Sequence, residues 1–383
     1  MRLEQNVWTA DQQWQPELSA ELGNKAQLII LFGARDALAG DKRWQDDLRQ
    51  AYPDARLFGC STAGEISGTR VLDDSIVATA VAFEHTRIAT AQVTLTGPGD
   101  SHAAGEELAK KIPSEGLAHV FILSSGLNVN GSDLVHGLRS NLPPAVQVTG
   151  GLAGDGARFE QTFVVGNDGV QEDGTIAALA FYGDRLKIGF GSLGGWDPFG
   201  PERLITRSEG NVLFELDGKP ALDLYKTYLG EHAANLPAAG LLFPLSIRRS
   251  DGDTPLVRTI LAVDEETNSL TFAGDLPTGS SARLMKANFD RLIDGAAGAA
   301  RTSYEMTGSG QPDLAILISC VGRKLVLKQR TEEEVEGVRE VLGPRPMLTG
   351  FYSYGEICPT NPHASCELHN QTMTITTFSE RVE

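Results

Sequence analysis

Long apolar runs, basic clusters and cysteines are all scarce in this 383-residue sequence. The longest apolar stretches, such as 26–32 and 314–321, have the length of a β-strand, whereas a helix that spans a bilayer needs roughly 20 apolar residues. The first eleven residues also lack the basic and apolar segments of a signal peptide. These absences predict a cytoplasmic protein without a membrane partner.

Basic residues are fewer than acidic ones: the chain has 33 Lys and Arg and 50 Asp and Glu, and its formal net charge is −17. A surface of this charge repels phosphate backbones and anionic lipids. We therefore expect no nucleic-acid partner. The four cysteines are too few for a disulfide framework in a chain of this length, which leaves reduced thiols or metal ligands.

The most informative feature is a pattern that occurs three times. Each copy reads as a buried strand, a helix, a second strand, a glycine turn and a further strand. The first strands are predicted at 27–32, 119–123 and 314–320, and the helices at 41–52, 132–142 and 331–342. Each glycine turn ends in an acidic residue, at Glu65, Asp155 and Glu356. The third helix also begins with a capping-box pattern, Thr331 and Glu334.

These units predict an α/β (α+β) protein with mixed sheets and flanking helices, rather than an all-parallel doubly wound sheet. Short loops predict antiparallel hairpins between 75–83 and 86–93, and between 175–182 and 186–191. Because 383 residues exceed what one hydrophobic core usually organises, we expect two domains. The first, 26–218, holds two of the units, and the second, 219–383, holds the third.

Several strings in the second half carry a family resemblance. They are GWDPFGPERLITRSEGNVLFELDGKPALDLYKTYLG (195–230), ISCVGRK (318–324), GFYSYGEI (350–357) and LHNQTMTITTF (368–378). With them the chain resembles the FIST family, whose members pair a FIST N-terminal with a FIST C-terminal domain, over about 26–378. The resemblance implies a sensory signal-input protein of bacterial signalling. One branch of the family is similar to haem-binding nitric-oxide sensors that act on histidine kinases or cyclic-di-nucleotide enzymes.

The sharpest local pattern is Cys358, His363, Cys366 and His369, four potential ligands within twelve residues. Thiolates and imidazoles suit soft and borderline metals, although this spacing matches no standard zinc finger. If haem is bound, His369 is the first axial candidate, followed by Cys366, His363 and Cys358. The alternative is a structural loop in which His369 caps a strand and Cys366 packs as a small apolar residue.

Two arginines follow first strands of the repeated units, at Arg35 and Arg323. Ligands of sheets flanked by helices tend to bind beyond the carboxyl ends of the strands. Each guanidinium could therefore clamp the carboxylate of an amino acid or of a haem propionate. The alternative is that both side chains are exposed and form surface ion pairs.

The leading hypothesis is a cytoplasmic sensor that binds haem, detects nitric oxide and regulates a histidine kinase, a diguanylate cyclase or a phosphodiesterase. One alternative is a module that binds an amino-acid-like metabolite without haem. Another is a protein with a structural zinc or iron–sulfur site. No enzyme activity is expected, because no pattern ties the thiol of Cys60 to a base. Homodimerisation is left open.

Overall fold

The computed structural model describes residues 1–19, 21–95, 97, 99–171, 173–236, 238–250, 253–308, 310–360 and 364–380. Within these ranges the chain forms mixed sheets with flanking helices, and the predicted fold class is confirmed. The predicted repetition is confirmed too, because three units share one plan. No helix in the described ranges has the length and hydropathy that crossing a membrane requires.

The elements of the three units follow one another along the chain. The first unit contains β1 (Arg2–Thr9), β2 (Gln13–Gln15), β3 (Leu28–Ala34), α1 (Arg35–Ala39), α2 (Arg43–Ala51), β4 (Arg56–Thr62), β5 (Glu65–Ser67), β6 (Arg70–Leu72) and β7 (Ile76–Ala82). The second contains β8 (Arg87–Thr94), α3 (Ser101–Lys110), β9 (Leu117–Ser124), α4 (Gly131–Asn141), β10 (Gln147–Leu152), β11 (Val164–Gly166), β12 (Gly169–Val170) and β13 (Thr175–Tyr182).

The third unit is interrupted by an inserted β-rich region. The insertion, which follows β14 (Leu186–Leu193), contains β15 (Asp197–Pro198), β16 (Arg203–Glu209), β17 (Val212–Leu216), β18 (Lys219–Pro220), α5 (Ala221–Leu229), β19 (Leu245–Arg248), β20 (Leu256–Arg258), β21 (Ile260–Asp264), β22 (Ser269–Phe272) and β23 (Ser281–Lys286). The unit then resumes with α6 (Phe289–Thr307), β24 (Leu314–Cys320), α7 (Val321–Leu327), α8 (Thr331–Leu342), β25 (Met347–Ser353), β26 (Gly355–Pro359), β27 (Cys366–His369) and β28 (Met373–Glu380).

Each unit builds most of one sheet, five strands in the first unit and four in each of the others, and its hairpin joins the sheet of another unit. Each unit has one parallel pair, which is β3–β4, β9–β10 or β24–β25. The last strand of the unit, β7, β13 or β28, pairs antiparallel to the first strand of that pair. Hairpin β5–β6 extends the third unit's sheet at β25, β26–β27 extends the second at β10, and β11–β12 extends the first at β4. The exchange is cyclic, so each unit completes its sheet with strands from another unit.

Two of the acidic turn residues secure these hairpins from inside the protein. Glu65 accepts hydrogen bonds from the backbone N–H of Ser75 at 3.2 Å and from its hydroxyl at 2.6 Å. Glu356 accepts equivalent bonds from the N–H of Thr372 at 3.1 Å and its hydroxyl at 2.9 Å. Burial raises the pKa of both carboxyl groups to about 7. The repeated Gly-acid pattern is therefore a structural device in these two units.

The three sheets meet in a shared apolar centre. Phenylalanines from different units pack there, and the rings of Phe32 and Phe351 stack with their centroids 4.7 Å apart. The first strands are buried on both faces, which explains why they read as continuous apolar runs rather than alternating ones. The core therefore crosses the boundary that the sequence placed at residues 218 and 219.

That boundary lies in the tight turn between β17 and β18. Strands from both sides of it share sheets, since β5 pairs with β25 and β14 with β28. The division of the chain into 26–218 and 219–383 stays a prediction.

Two local predictions are wrong. The segments predicted as hairpin partners lie in different sheets: β7 pairs with β1 and β3, β8 pairs with β13, and β14 pairs with β28. The short loops instead carry the chain from one unit to the next. The capping box is absent as well, because the Thr331 hydroxyl donates to Lys328 and the Glu334 carboxylate binds Arg323.

Candidate functional site

A cavity of about 510 Å³ opens beyond the carboxyl ends of the parallel pairs β9–β10 and β24–β25. The second and third units form one side of it, and the insertion forms the other. Its lining residues are Leu127, Ala157, Phe159, Leu236, Leu241, Thr259, Ile260, Leu261, Ala273, Cys320, Val321, Gly322, Leu325 and Tyr354. We call this cavity the apolar lobe. Its position is where ligands of sheets flanked by helices commonly bind.

A second cavity, of about 460 Å³, adjoins the first. The two share the five lining residues Leu127, Phe159, Leu261, Ala273 and Tyr354. The second also has amide side chains in its wall, those of Asn128, Asn130 and Asn211, and we call it the polar lobe. Together the lobes form a site with one apolar end and one hydrogen-bonding end.

The ring of Phe159 stands at the junction of the lobes. It stacks on Tyr354 with centroids 4.3 Å apart and an interplanar angle of 15°. Asp155 holds this pair in place: its carboxylate accepts the hydroxyl hydrogen of Tyr354 and the backbone N–H of Phe159, the latter at 2.9 Å. Phe159 adopts a left-handed backbone conformation with φ +56°, which is unusual for an aromatic residue. The loop is thus built to present this ring to the cavity.

The mouth of the apolar lobe is itself apolar. Phe159, Leu261 and Leu325 line it, with 40%, 46% and 36% of their surface exposed. Exposed large apolar side chains that cluster at a cavity are typical of a ligand-binding groove. Water-exposed apolar surface of this kind is covered when an apolar ligand enters.

Several buried polar groups around the lobes have no hydrogen-bond partner among the described residues. They are the hydroxyl of Thr259, the amide groups of Asn370 and Gln371, and Nη2 of Arg258. Thr259 lines the apolar lobe directly. The Gln371 amide packs against Gly322 of the same lobe, and the Arg258 guanidinium packs against Gly274 of the polar lobe. Since buried polar groups are almost always paired, this concentration points to a ligand or to bound water.

The predicted metal ligands Cys358, Cys366 and His369 lie together in the hairpin β26–β27, and all three are buried. Nε2 of His369 donates to the carbonyl oxygen of Cys358 at 2.8 Å. Burial lowers the pKa of His369 to about 4 and raises the pKa of both thiols. The ring is therefore neutral and the thiols are protonated.

His363, the fourth predicted ligand, lies outside the described residues. Among the described residues, these three included, no group of three or more His, Cys, Asp and Glu side chains is placed to hold a metal ion. Metal ligation by the four-residue cluster stays a prediction. None of its three described members lines either lobe.

The two predicted arginine clamps occupy different environments. Arg323 is fully buried; its Nη2 lies 2.7 Å from the Glu334 carboxylate and also donates to the carbonyl oxygen of Leu292. Arg35 is partly exposed and forms ion pairs with Asp36 at 3.0 Å and Glu160 at 3.1 Å. Both guanidinium groups are already engaged by carboxylates. The structure does not bring them into one site.

No motif in the sequence predicted this cavity. Six of the fourteen lining residues of the apolar lobe come from the insertion, where Thr259, Ile260 and Leu261 follow no recognisable motif. Asn370 and Gln371 did carry a signal, since they belong to a string that matched the family, but their lack of partners is visible only in three dimensions.

Comparison with known proteins adds the following. The FIST N domain matches residues 27–219 and the FIST C domain matches residues 221–359. An uncharacterized protein of Methanocaldococcus jannaschii is 25% identical over 352 residues, which are 84% of this chain and 64% of that protein. An uncharacterized protein of Mycobacterium tuberculosis is 26% identical over 258 residues, 64% of each chain. This chain thus spans about 64% of the length of these relatives.

Among solved structures, a cyanuric acid hydrolase from A. caulinodans aligns over 100% of this chain and 99% of its own. The TM-score is 0.38 and the sequence identity 8%, which is too weak a likeness to support an inference.

Proposed function

Since this chain belongs to the FIST family, whose domains are sensor modules of signal transduction, we propose that it senses a small molecule bound in the apolar and polar lobes. The observation that carries this proposal is the cavity of about 510 Å³, which lies at the strand ends with unpaired buried polar groups around it. Its volume falls within the usual range for small-molecule sites, about 300–1,000 Å³.

The lining indicates an amphipathic ligand. The leucine, isoleucine and phenylalanine side chains of the apolar lobe favour a hydrocarbon or aromatic body, which gains free energy in proportion to the apolar area removed from water. The amides of Asn128 and Asn211 in the polar lobe favour a hydrogen-bonding group at the other end, whereas the Asn130 amide is already bonded to Ser132 and Asp275. An amino-acid-like ligand held by Arg323 is not favoured, because that guanidinium is bound to Glu334.

Placing a charge at the mouth is expected to weaken ligand binding without unfolding the protein. For Leu325→Asp, we expect the affinity for the neutral apolar dye Nile red, measured by fluorescence titration, to fall at least tenfold. The reason is that the bound dye would leave the carboxylate poorly solvated. Because Leu325 is already 36% exposed, stability should change by only about 0.5 kcal/mol.

The matched control is Leu204→Asp, which makes the same change at a leucine that is 49% exposed and lines neither lobe. It should bind Nile red as the unchanged protein does. Saturable binding that is equal in all three proteins, or no saturable binding at all, would argue against a ligand in this cavity.

Haem is the second candidate ligand, at His369 and not in the lobes, which this residue does not line. A neutral ring that donates from Nε2 keeps its lone pair on Nδ1, and metal-binding histidines commonly donate their other N–H to a backbone carbonyl. Haem, when bound, supplies an iron whose free position takes nitric oxide. The residue of this chain that would hold it is His369, oriented by the carbonyl of Cys358.

The expected result for haem is a Soret band when the protein is reconstituted, lost or shifted in His369→Ala. Addition of nitric oxide should shift the band of the unchanged protein only. If the purified protein gains no Soret band from added haem, the haem hypothesis is wrong and the apolar-ligand proposal is unaffected. Metal analysis of the same preparations tests the zinc and iron–sulfur alternatives.

The signalling partner follows from the family rather than from the site. FIST domains occur in signalling proteins, and we propose a histidine kinase, a diguanylate cyclase or a phosphodiesterase as the enzyme that this sensor regulates. We also propose that the chain itself binds a ligand and does not catalyse a reaction.

A further inference from the structure

The ring of Phe159 lies where a ligand that fills both lobes has to pass. Five residues border both lobes, and Phe159 and Tyr354 are the two aromatic residues among them. Because Tyr354 stacks against one face of the Phe159 ring, the exposed part of that ring lies on its opposite face and its edges. The junction of the lobes therefore presents one uncovered aromatic face to the cavity.

Asp155 holds this ring in position through the backbone. Its fully buried carboxylate accepts the N–H of Phe159 at 2.9 Å and those of Glu160 and Gln161 at 3.0 Å each. These bonds keep Phe159 at φ +56°, which costs free energy for any residue that has a Cβ. The ring is thus placed at the cavity in the absence of any ligand, and the loop that places it does not depend on the aromatic side chain.

The acidic turn residue of the second unit differs from its counterparts in what it binds. Glu65 and Glu356 bind Ser75 and Thr372, which directly precede the last strand of their own units. Asp155 instead supports a loop that exposes an apolar ring to water. Strained residues cluster at functional sites, and exposed apolar surface at a cavity is typical of ligand binding. The arrangement therefore indicates that a ligand covers the ring.

A planar aromatic ring is the group that gains most from such a face. Offset stacking of two aromatic rings adds roughly two- to tenfold in affinity beyond the apolar area that they bury. A saturated ring of similar volume buries comparable area but has no π system. Among the described residues, no charged side chain lines either lobe. The aromatic face is therefore the feature of the junction that distinguishes one apolar ligand from another.

We propose that Phe159 determines the specificity of this site, and that the sensed molecule carries a planar aromatic ring that stacks on the free face of Phe159. The polar group of the ligand then extends into the polar lobe. This inference rests on the proposed function, since it names the chemical class of ligand for the same cavity.

The test uses 3-phenylpropanamide and 3-cyclohexylpropanamide as competitors for bound Nile red. These probes share one polar group and differ only in whether the ring is aromatic. We expect the unchanged protein to bind the phenyl probe about threefold or more tightly than the cyclohexyl probe. In Phe159→Leu this preference should disappear, whereas Phe159→Tyr should keep it. Each inhibition constant is corrected for the Nile red affinity of the same variant.

Phe159→Leu retains the backbone N–H that Asp155 binds, so the loop should keep its conformation. The matched control is Phe289→Leu, the same change at a phenylalanine that is 44% exposed and lines neither lobe. It should keep the preference for the phenyl probe. Equal affinities in the unchanged protein, a phenyl probe that does not displace Nile red, or a preference that survives in Phe159→Leu would overturn the inference. Those outcomes differ from the failure of the proposed function, in which Nile red itself would not bind saturably.

Discussion

Replacing Gly350 by alanine is expected to destabilise this protein by about 3 kcal/mol or more, because the added methyl group has no space. Gly350 lies opposite Leu317 in the parallel pair β24–β25, where a Cβ would overlap the carbonyl oxygen of Leu317. That oxygen belongs to the backbone of a buried central strand, so it cannot move aside as a flexible side chain could. The same clash arises at the equivalent glycines of the other units, Gly59 and Gly150.

Urea denaturation of Gly350→Ala and Gly68→Ala measures this effect. Gly68 differs from Gly350 because it has a left-handed conformation, with φ +62°, and no atom lies within 4 Å of an added Cβ. Only the backbone strain remains there, and the loss should be about 1 kcal/mol. If the two variants lose the same stability, close approach of the strands is not the reason for the glycine in each unit.

Arg323→Ala is expected to cost about 3–5 kcal/mol, because it leaves a buried carboxylate without its cation. Nε and Nη2 of Arg323 donate to the same oxygen of Glu334, at 3.0 and 2.7 Å, and both side chains are fully buried. The Tyr352 hydroxyl donates to the other oxygen of Glu334 at 2.6 Å. The pair therefore joins α7, α8 and β25 behind the cavity.

The matched experiment adds Glu334→Gln to Arg323→Ala and compares unfolding free energies from urea titrations. The double variant should recover part of the loss, since no unpaired charge remains buried. Arg35→Ala is the control for an exposed arginine and should lose less than about 1 kcal/mol. If Arg323→Ala stays as stable as the unchanged protein and loses only ligand binding, Arg323 is a ligand clamp instead of a structural residue.

Elements that depend on local sequence were predictable. Strand β24 and helix α8 have the bounds that the sequence predicted, because a continuous apolar run and a regular apolar stripe are properties of neighbouring residues. The capping box failed for the opposite reason. Glu334 forms a buried ion pair with Arg323, eleven positions away in the chain, and its carboxylate therefore does not cap the helix.

Strand partners were less predictable than strands. Short loops between β7 and β8, and between β13 and β14, looked like hairpin turns. The edges of β7 and β13 are already occupied, by β1 and β3 and by β8 and β9, so the following strand must join another sheet. The cyclic exchange of hairpins was unpredictable for the same reason. A hairpin can join only a sheet edge that no other strand occupies, and which edges are free depends on how the other strands have paired.

The sequence by itself determined the FIST membership, the three repeated units and the acidic character of the surface, since each of these is written in residue identity and spacing. Only the tertiary structure decided what the polar residues do. It buried Arg323 against Glu334, placed Cys358 and His369 across one hairpin, and brought the insertion over the strand ends to form the cavity. Such contacts join residues far apart in the chain, and their formation depends on which surfaces remain uncovered when the units pack.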